Sequence, residues 1–243
     1  MTGKHFQPFI PSAKVKRAIV GKTDEAITKF IKSFGIDLIQ SAENTELDKP
    51  IRNHADLSII RVGEEIFFSD SKQKDIFNNF IPHSNLIETK VKSPYPNDCR
   101  LNAAVIGEYV FAKMSSLDER LCDYFKENGY HLVNVNQGYA NCSTCIIDEN
   151  HLITDDPSIF KAANKHSINS LLIEKGDIKL DGYGYGFIGG ASALIDKNHL
   201  IFFGDITKHR SFSEIDDFLA SINCKYDYFH DYSLTDIGGI IFL

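Results

Sequence analysis

Cys142 and Cys145 stand three residues apart in the run Asn141-Cys142-Ser143-Thr144-Cys145. A thiol does chemistry as its thiolate, and a histidine nearby lowers the cost of forming it. His54 is the candidate partner, with Asp56 two residues further on. Four readings of the thiol pair stand side by side. One thiol is a nucleophile served by His54, with proton transfer between them. Both are small buried hydrophobes, as free cysteine often is. The pair is half of a zinc site completed by His54, Asp56 or Cys99, although no second Cys-x-x-Cys or His-x-x-x-His follows. Last, it is a redox pair, which is disfavoured because that motif opens a helix and this one opens a strand. On a strand, residues three apart face opposite sides, so only one of the two thiols would point into a common site. His54 and Asp56, two apart, would share a face. They either line a site together or tie two elements together by a structural hydrogen bond. Asp98, after Pro94-Tyr95-Pro96, is either a site residue or the anchor of an Asx turn.

The bulk composition narrows the field. The chain has 243 residues, a net charge of −7 and 43% hydrophobic residues. An acidic chain of this kind lacks the basic face of a nucleic-acid binder. No apolar run reaches the roughly 18 residues that span a bilayer, and Met1–Phe6 lacks the apolar core of a signal peptide. Five cysteines, an odd number, favour free thiols in a reducing compartment. The expected location is the cytoplasm. No phosphate-binding glycine loop of the GxxxxGK[ST] type occurs, and neither a cofactor nor a resident metal is expected.

What must position these residues is a repeat. Glu65, Tyr109, His151 and His199 recur every forty-odd residues, each at the turn between two apolar strands. A period of this length indicates stacked or radial units. A helix and a further strand follow each strand pair. Ser116 with Glu119 and Ser211 with Glu214 have the spacing of capping boxes. Asp156-Pro157 pairs an N-cap with proline at the first helical position. A shorter helix is expected over Asp70 to Asn79. The two ends are complementary halves: strand, helix and strand from Arg17 to Ile39, and one strand from Asp236 to Leu243. Four whole units and two halves make five. The expected fold is therefore α/β, a five-bladed ββαβ propeller in one domain over residues 1–243. Its C-terminal strand closes the N-terminal blade and leaves no exposed sheet edge there.

In such an array the first strand of each blade lies nearest the axis, and polar residues at its start converge on a central pocket. The predicted contributors are Asn53, His54 and Asp56 from one blade, Asn97, Asp98, Arg100 and Asn102 from the next, and Asn141, Cys142 and Cys145 from a third. Gly189, Gly190 and Ser192 come from a fourth, and Asp236, Gly238 and Gly239 from the closing strand. Tyr183 and Tyr185, alternating with glycines, are placed to cover the pocket as a lid. His151 and His199 are read as hairpin-turn residues, and Cys122 as core.

With its starts His54-Ala55-Asp56, Asn97-Asp98-Cys99-Arg100 and Gly238-Gly239, this fivefold pattern resembles the guanidino-group modifying enzymes. These are the arginine deiminases, dimethylarginine hydrolases and amidinotransferases. Asn141–Cys145 together with Gly186–Ser192 is similar to an uncharacterised bacterial family of that fold. The resemblance covers the whole chain. It implies a central pocket for a small guanidine or amidine cation, held by carboxylates through paired hydrogen bonds. Asp56, Asp98, Asn102 and Asn141 would bind it. It also implies a thiol-dependent hydrolase or amidinotransferase-like reaction, with a cysteine on the C-terminal strand and a histidine on another inner strand. Here Gly238–Leu243 holds no cysteine, and the strand matching the histidine carries Asn141, Cys142 and Cys145. The catalytic candidates are accordingly Cys142 or Cys145 with His54. A silent relative that binds the cation, and an interaction scaffold, are the alternatives.

Overall fold

A computed structural model describes residues 5–69, 71–77 and 85–243. Its strands form five three-stranded sheets, each one blade. The second blade is β3 (Ile59–Val62), β4 (Glu65–Ser69), α3 (Ser71–Phe77) and β5 (Leu86–Thr89). The third is β6 (Ala104–Ile106), β7 (Tyr109–Ala112), α4 (Glu119–Glu127) and β8 (His131–Asn134). The fourth is β9 (Thr144–Asp148), β10 (His151–Thr154), α5 (Pro157–Lys165) and β11 (Asn169–Leu172). The fifth is β12 (Ser192–Asp196), β13 (His199–Phe202), α6 (Phe212–Ser221) and β14 (Lys225–Tyr228). In each, the first pair of strands is antiparallel and the helix-linked pair parallel. The first blade holds β1 (Arg17–Val20), α1 (Glu25–Ser33) and β2 (Asp37–Gln40), and is completed by β15 (Ile240–Phe242). Ala18 faces Phe242 and Val20 faces Ile240 across that closure. The first strands of neighbouring blades touch around the axis: β6 with β9, β9 with β12, and β15 with β3.

The alternation of side chains along each middle strand explains why the blades are radial. Among the described residues, buried apolar clusters lie between successive blades. On β7, Val110 and Ala112 turn toward the second blade, with Val62 and Phe67. Phe111, between them, turns toward the fourth, with Leu152 and Ile159. On β10, Leu152 joins that same cluster, while Ile153 packs with Leu200 and Phe202 of the fifth blade. A strand buried on both faces reads as a continuous apolar run, because neither face meets water. Four helices, α1, α4, α5 and α6, each add an i, i+4 pair: Ile27 and Ile31, Leu121 and Phe125, Ile159 and Ala163, Ile215 and Leu219. Such pairs share one helical face.

Several local expectations change in detail. Asp156 caps α5 as expected, accepting from Ser158 N and Ile159 N. The Ser116–Glu119 capping box does not form. Asp118 is the N-cap of α4, accepting from Arg120 N. Ser211 caps no backbone group of α6, and its hydroxyl accepts from Glu174 N instead. The second-blade helix runs over Ser71–Phe77, and Asp70, Asn78 and Asn79 lie outside the described residues.

Asp118 also ties α4 to the preceding blade. Its buried carboxylate accepts from Thr89 Oγ1 and, at 2.8 Å, from Arg100. Burial opposes its charge. The hydrogen bonds from Thr89, Arg100 and Arg120 outweigh that and hold its carboxyl well below the usual range. A carboxylate with a depressed folded pKa stabilises the fold above its unfolded pKa, and this is lost as pH falls through the folded value. Asp118→Ala is expected to lose about 2 kcal/mol at pH 7, from cap and buried bonds together. That deficit shrinks as the pH drops below about 4. Chemical denaturation at pH 7 and pH 3 checks both.

Candidate functional site

The axis-facing residues come mostly from turns just before the inner strands. His54 is the N-cap of a one-turn helix, α2 (Ala55–Ser58), and Asp56 lies within it. The two therefore do not share a strand face, as the sequence suggested. Both nevertheless point to the axis, because the turn wraps against the closing segment, where Asp56 N donates to Gly238 O at 3.3 Å. Asp98 sits in a 3-10 turn (Asn97–Cys99). Asn141 and Cys142 precede β9, and Cys145 is on it.

Asn102 organises the centre. Its Oδ1 accepts from Asn141 N at 2.8 Å and Cys142 N at 3.2 Å. Its Nδ2 donates to Asp56 O at 3.3 Å and Cys142 Sγ at 3.1 Å. These four bonds use the whole capacity of an amide side chain. Cys142 Sγ in turn donates to Asp56 Oδ2 at 2.7 Å. Asp56 Oδ1 is buried with no hydrogen-bond partner.

A second carboxylate lies close by. Asp236 accepts from Gly238 N at 3.0 Å and Phe187 N at 2.9 Å, and its Oδ1 is 3.7 Å from His54 Nδ1. Two glycines make room for it and for His54. A Cβ on Gly190 would fall 1.9 Å from Asp236 Oδ1, and one on Gly238 (φ +75°) would fall 2.5 Å from His54 Cβ.

The electrostatics follow from burial. Asp56 is pushed up to about 6, chiefly by desolvation. His54 and the Cys142 hydrogen bond act against that, and the Asp236 charge adds to it. The Cys142 thiol is raised well above its ordinary value, first by burial and then by the neighbouring charges of Asp56 and Asp236. At rest it is a protonated hydrogen-bond donor.

A cavity of about 200 Å³ opens on this cluster. His54, Cys142 and Asp236 line it, with Tyr139, Phe187, Tyr183 and Tyr185 among its walls. The glycine–tyrosine segment thus stands where the sequence put a lid. Tyr139 was not foreseen. It donates to Asp98 Oδ2 at 2.7 Å, so Asp98 holds a wall of the cavity and does not itself line it. Burial raises the Asp98 carboxyl as well. Asp236, foreseen near the axis, was given no role.

Cys145 goes elsewhere. It packs among Ile147, Ile153 and Leu194. It also borders a separate 40 Å³ space with Asn141, Asp56 and Ser192. The two thiols are divided as expected, although Cys142 stands in the turn before β9 and not on a strand with Cys145. Among the described residues, no three histidine, cysteine or acidic side chains gather as metal ligands. No helix is long and apolar enough to cross a membrane among those residues.

A family of unknown function (DUF6873) matches residues 18–241. The chain belongs to that family. No curated protein matches it in sequence. Solved structures match over nearly the whole chain. One is DDAH from Pseudomonas aeruginosa, a cysteine-to-serine mutant complexed with citrulline. Its TM-score is 0.58 at 8% identity, covering 93% of this chain and 96% of that one. The inosamine-phosphate amidinotransferase of Streptomyces griseus has a TM-score of 0.58 at 9% identity, covering 98% and 96%. The agmatine deiminase of C. jejuni has a TM-score of 0.53 at 11% identity, covering 93% and 89%. The fold is that of the guanidino-group modifying enzymes, the five-bladed pentein architecture. At these identities the likeness speaks for the fold alone.

Proposed function

We propose that the central cavity binds a small amidine or guanidine cation and that Cys142 attacks it. The observation that carries this reading is the 2.7 Å bond from the Cys142 thiol to Asp56, where Cys142, His54 and Asp236 together line one cavity. A nucleophile in hydrogen-bond contact with a base, itself oriented by neighbours, is the arrangement nucleophilic catalysis requires. Asp56, pushed up to about 6, is matched to accept a proton near neutral pH. The negative surroundings that keep the thiol protonated also attract a cation. Once bound, the cation's charge beside the sulfur favours the thiolate. Asp56 then takes the thiol proton and the sulfur bonds to the central carbon. As the carbon–nitrogen bond breaks, Asp56 passes that proton to the leaving amine. Water or an acceptor amine then attacks the carbon, giving a proton to His54, which returns it to the departing Cys142 sulfur. Asp98, Asn102 and Asn141 serve from behind. Asp98 fixes Tyr139, and Asn102 fixes the Asn141 and Cys142 backbone.

The burial of Cys142, only 2% exposed, favours a second reading: the cation binds without turnover. Site-resolved alkylation by chloroacetamidine, a cation, and by neutral chloroacetamide separates the two. With each rate normalised to Cys122 in the same sample, Cys142 is expected to prefer the cationic reagent at least tenfold, and guanidinium is expected to protect it. Equal, slow modification by both reagents sinks the nucleophile. Binding without turnover then stands only if guanidinium still raises the melting temperature.

A further inference from the structure

We infer that the cavity selects a cation carrying a short apolar substituent and no carboxylate: an N-alkylguanidine or alkylamidine, not an amino acid. The inference rests on the binding reading above and goes further, to the part of the ligand that does not react.

Among the described residues lining the cavity, none is a lysine or arginine. An amino-acid substrate would have to bury its carboxylate there without a lysine or arginine partner. It would instead meet another carboxyl group, that of Asp236, whose side chain is 1% exposed. Asp56 and Asp98, both buried, add negative charge behind the wall. Burying an unpaired carboxylate costs several kcal/mol or forces it to take up a proton. Of the three tyrosines that line the cavity, Tyr139 gives its hydroxyl proton to Asp98. Two ammonium groups contact aromatic rings around the site without lining it. Lys113 Nζ bonds Tyr95 Oη at 2.8 Å, and Lys175 Nζ lies 6.0 Å from the Tyr185 ring.

The same walls suit an alkylated cation. Tyr139 and Phe187 have ring centroids 6.0 Å apart, and Tyr185 meets Phe187 edge-on at 5.9 Å. Aromatic faces attract a cation and tolerate the alkyl groups it carries. Ile51, Leu57 and Leu180 complete an apolar surface. The volume of about 200 Å³ equals that of about seven liquid waters. It therefore accommodates a planar head and a short branch.

Three probes of matched shape test this: isobutylguanidine, guanidinoacetamide and guanidinoacetate. Each carries the same head and a three-heavy-atom branched end that is apolar, polar or anionic. Affinity is measured by calorimetry on the intact protein, and occupancy of the cavity by protection of Cys142 from chloroacetamidine. Isobutylguanidine is expected to bind most tightly, the amide more weakly, and guanidinoacetate at least tenfold more weakly than isobutylguanidine. If guanidinoacetate binds within tenfold of isobutylguanidine and protects Cys142, the selectivity is wrong while the guanidine-binding reading stands. If none of the three binds or protects, both are wrong.

Discussion

Gly190→Ala and Gly238→Ala are each expected to destabilise the protein by at least about 3 kcal/mol, lowering the melting temperature by roughly 6–12 °C. The reason is the crowding at the axis. The added Cβ of Gly190 would overlap the Asp236 carboxylate at 1.9 Å. That carboxylate has no room to retreat, since Gly238 N and Phe187 N hold its two oxygens. Gly238 combines two penalties. Its φ of +75° is left-handed, which an L side chain resists, and its Cβ would lie 2.6 Å from the Cα of His54. Gly184→Ala is the control. It lines the cavity, and an added Cβ there meets nothing within 4 Å. Its melting temperature is expected to stay within about 2 °C of the parent. Equal losses at Gly184 and Gly190 would mean that axial crowding is not the cause.

The stability of the parent protein relative to Asp56→Asn is expected to fall by about 3 kcal/mol between pH 3 and pH 8. The Asp56 carboxyl is raised from 3.8 to about 6 in the folded chain, and each unit is worth about 1.4 kcal/mol. A carboxyl whose folded pKa lies above its unfolded one favours folding while it is protonated. That contribution is complete below the unfolded value and is lost as pH rises through about 6. The asparagine variant does not titrate there, so the difference between the two denaturation curves isolates Asp56 from Asp155, which is raised to about 6 as well. Parallel curves across this range would show that Asp56 is solvated or otherwise charge-compensated. The same uncompensated charge is what a bound cation would relieve. Saturating isobutylguanidine is therefore expected to flatten the pH dependence of the parent and leave that of Asp56→Asn unchanged.

The architecture was legible because it is written many times. Five blades repeat one alternation, and a middle strand such as Tyr109–Ala112 has to satisfy two interfaces at once, so its apolar run is continuous. The closure was legible for a complementary reason. A lone C-terminal strand and an N-terminal unit lacking its first strand fit each other, and β15 pairs with β1. Local capping was less legible. Ser116 and Glu119 have capping-box spacing, but Asp118 takes the cap because Arg100 and Thr89, distant in sequence, already converge on it.

The candidate site divides along the same line. Repeat position alone brought His54, Asp56, Asn102 and Cys142 to one point, since residues at equivalent places in radial units meet at the axis. Cys142 and Cys145 part company as expected, but because Cys142 sits in the turn before β9 and Cys145 on the strand, not because of strand alternation. What the sequence left open was which thiol faces the cavity, that Asn102 spends all its bonds on the protein, and that Asp98 acts through Tyr139. These were decided by turns whose backbone conformation depends on contacts from other blades. His54 and Asp56 face inward from a helical turn because Gly238, nearly two hundred residues away, packs against them. Periodicity fixes where a strand's residues point. Only packing fixes the direction of a side chain carried on an irregular turn.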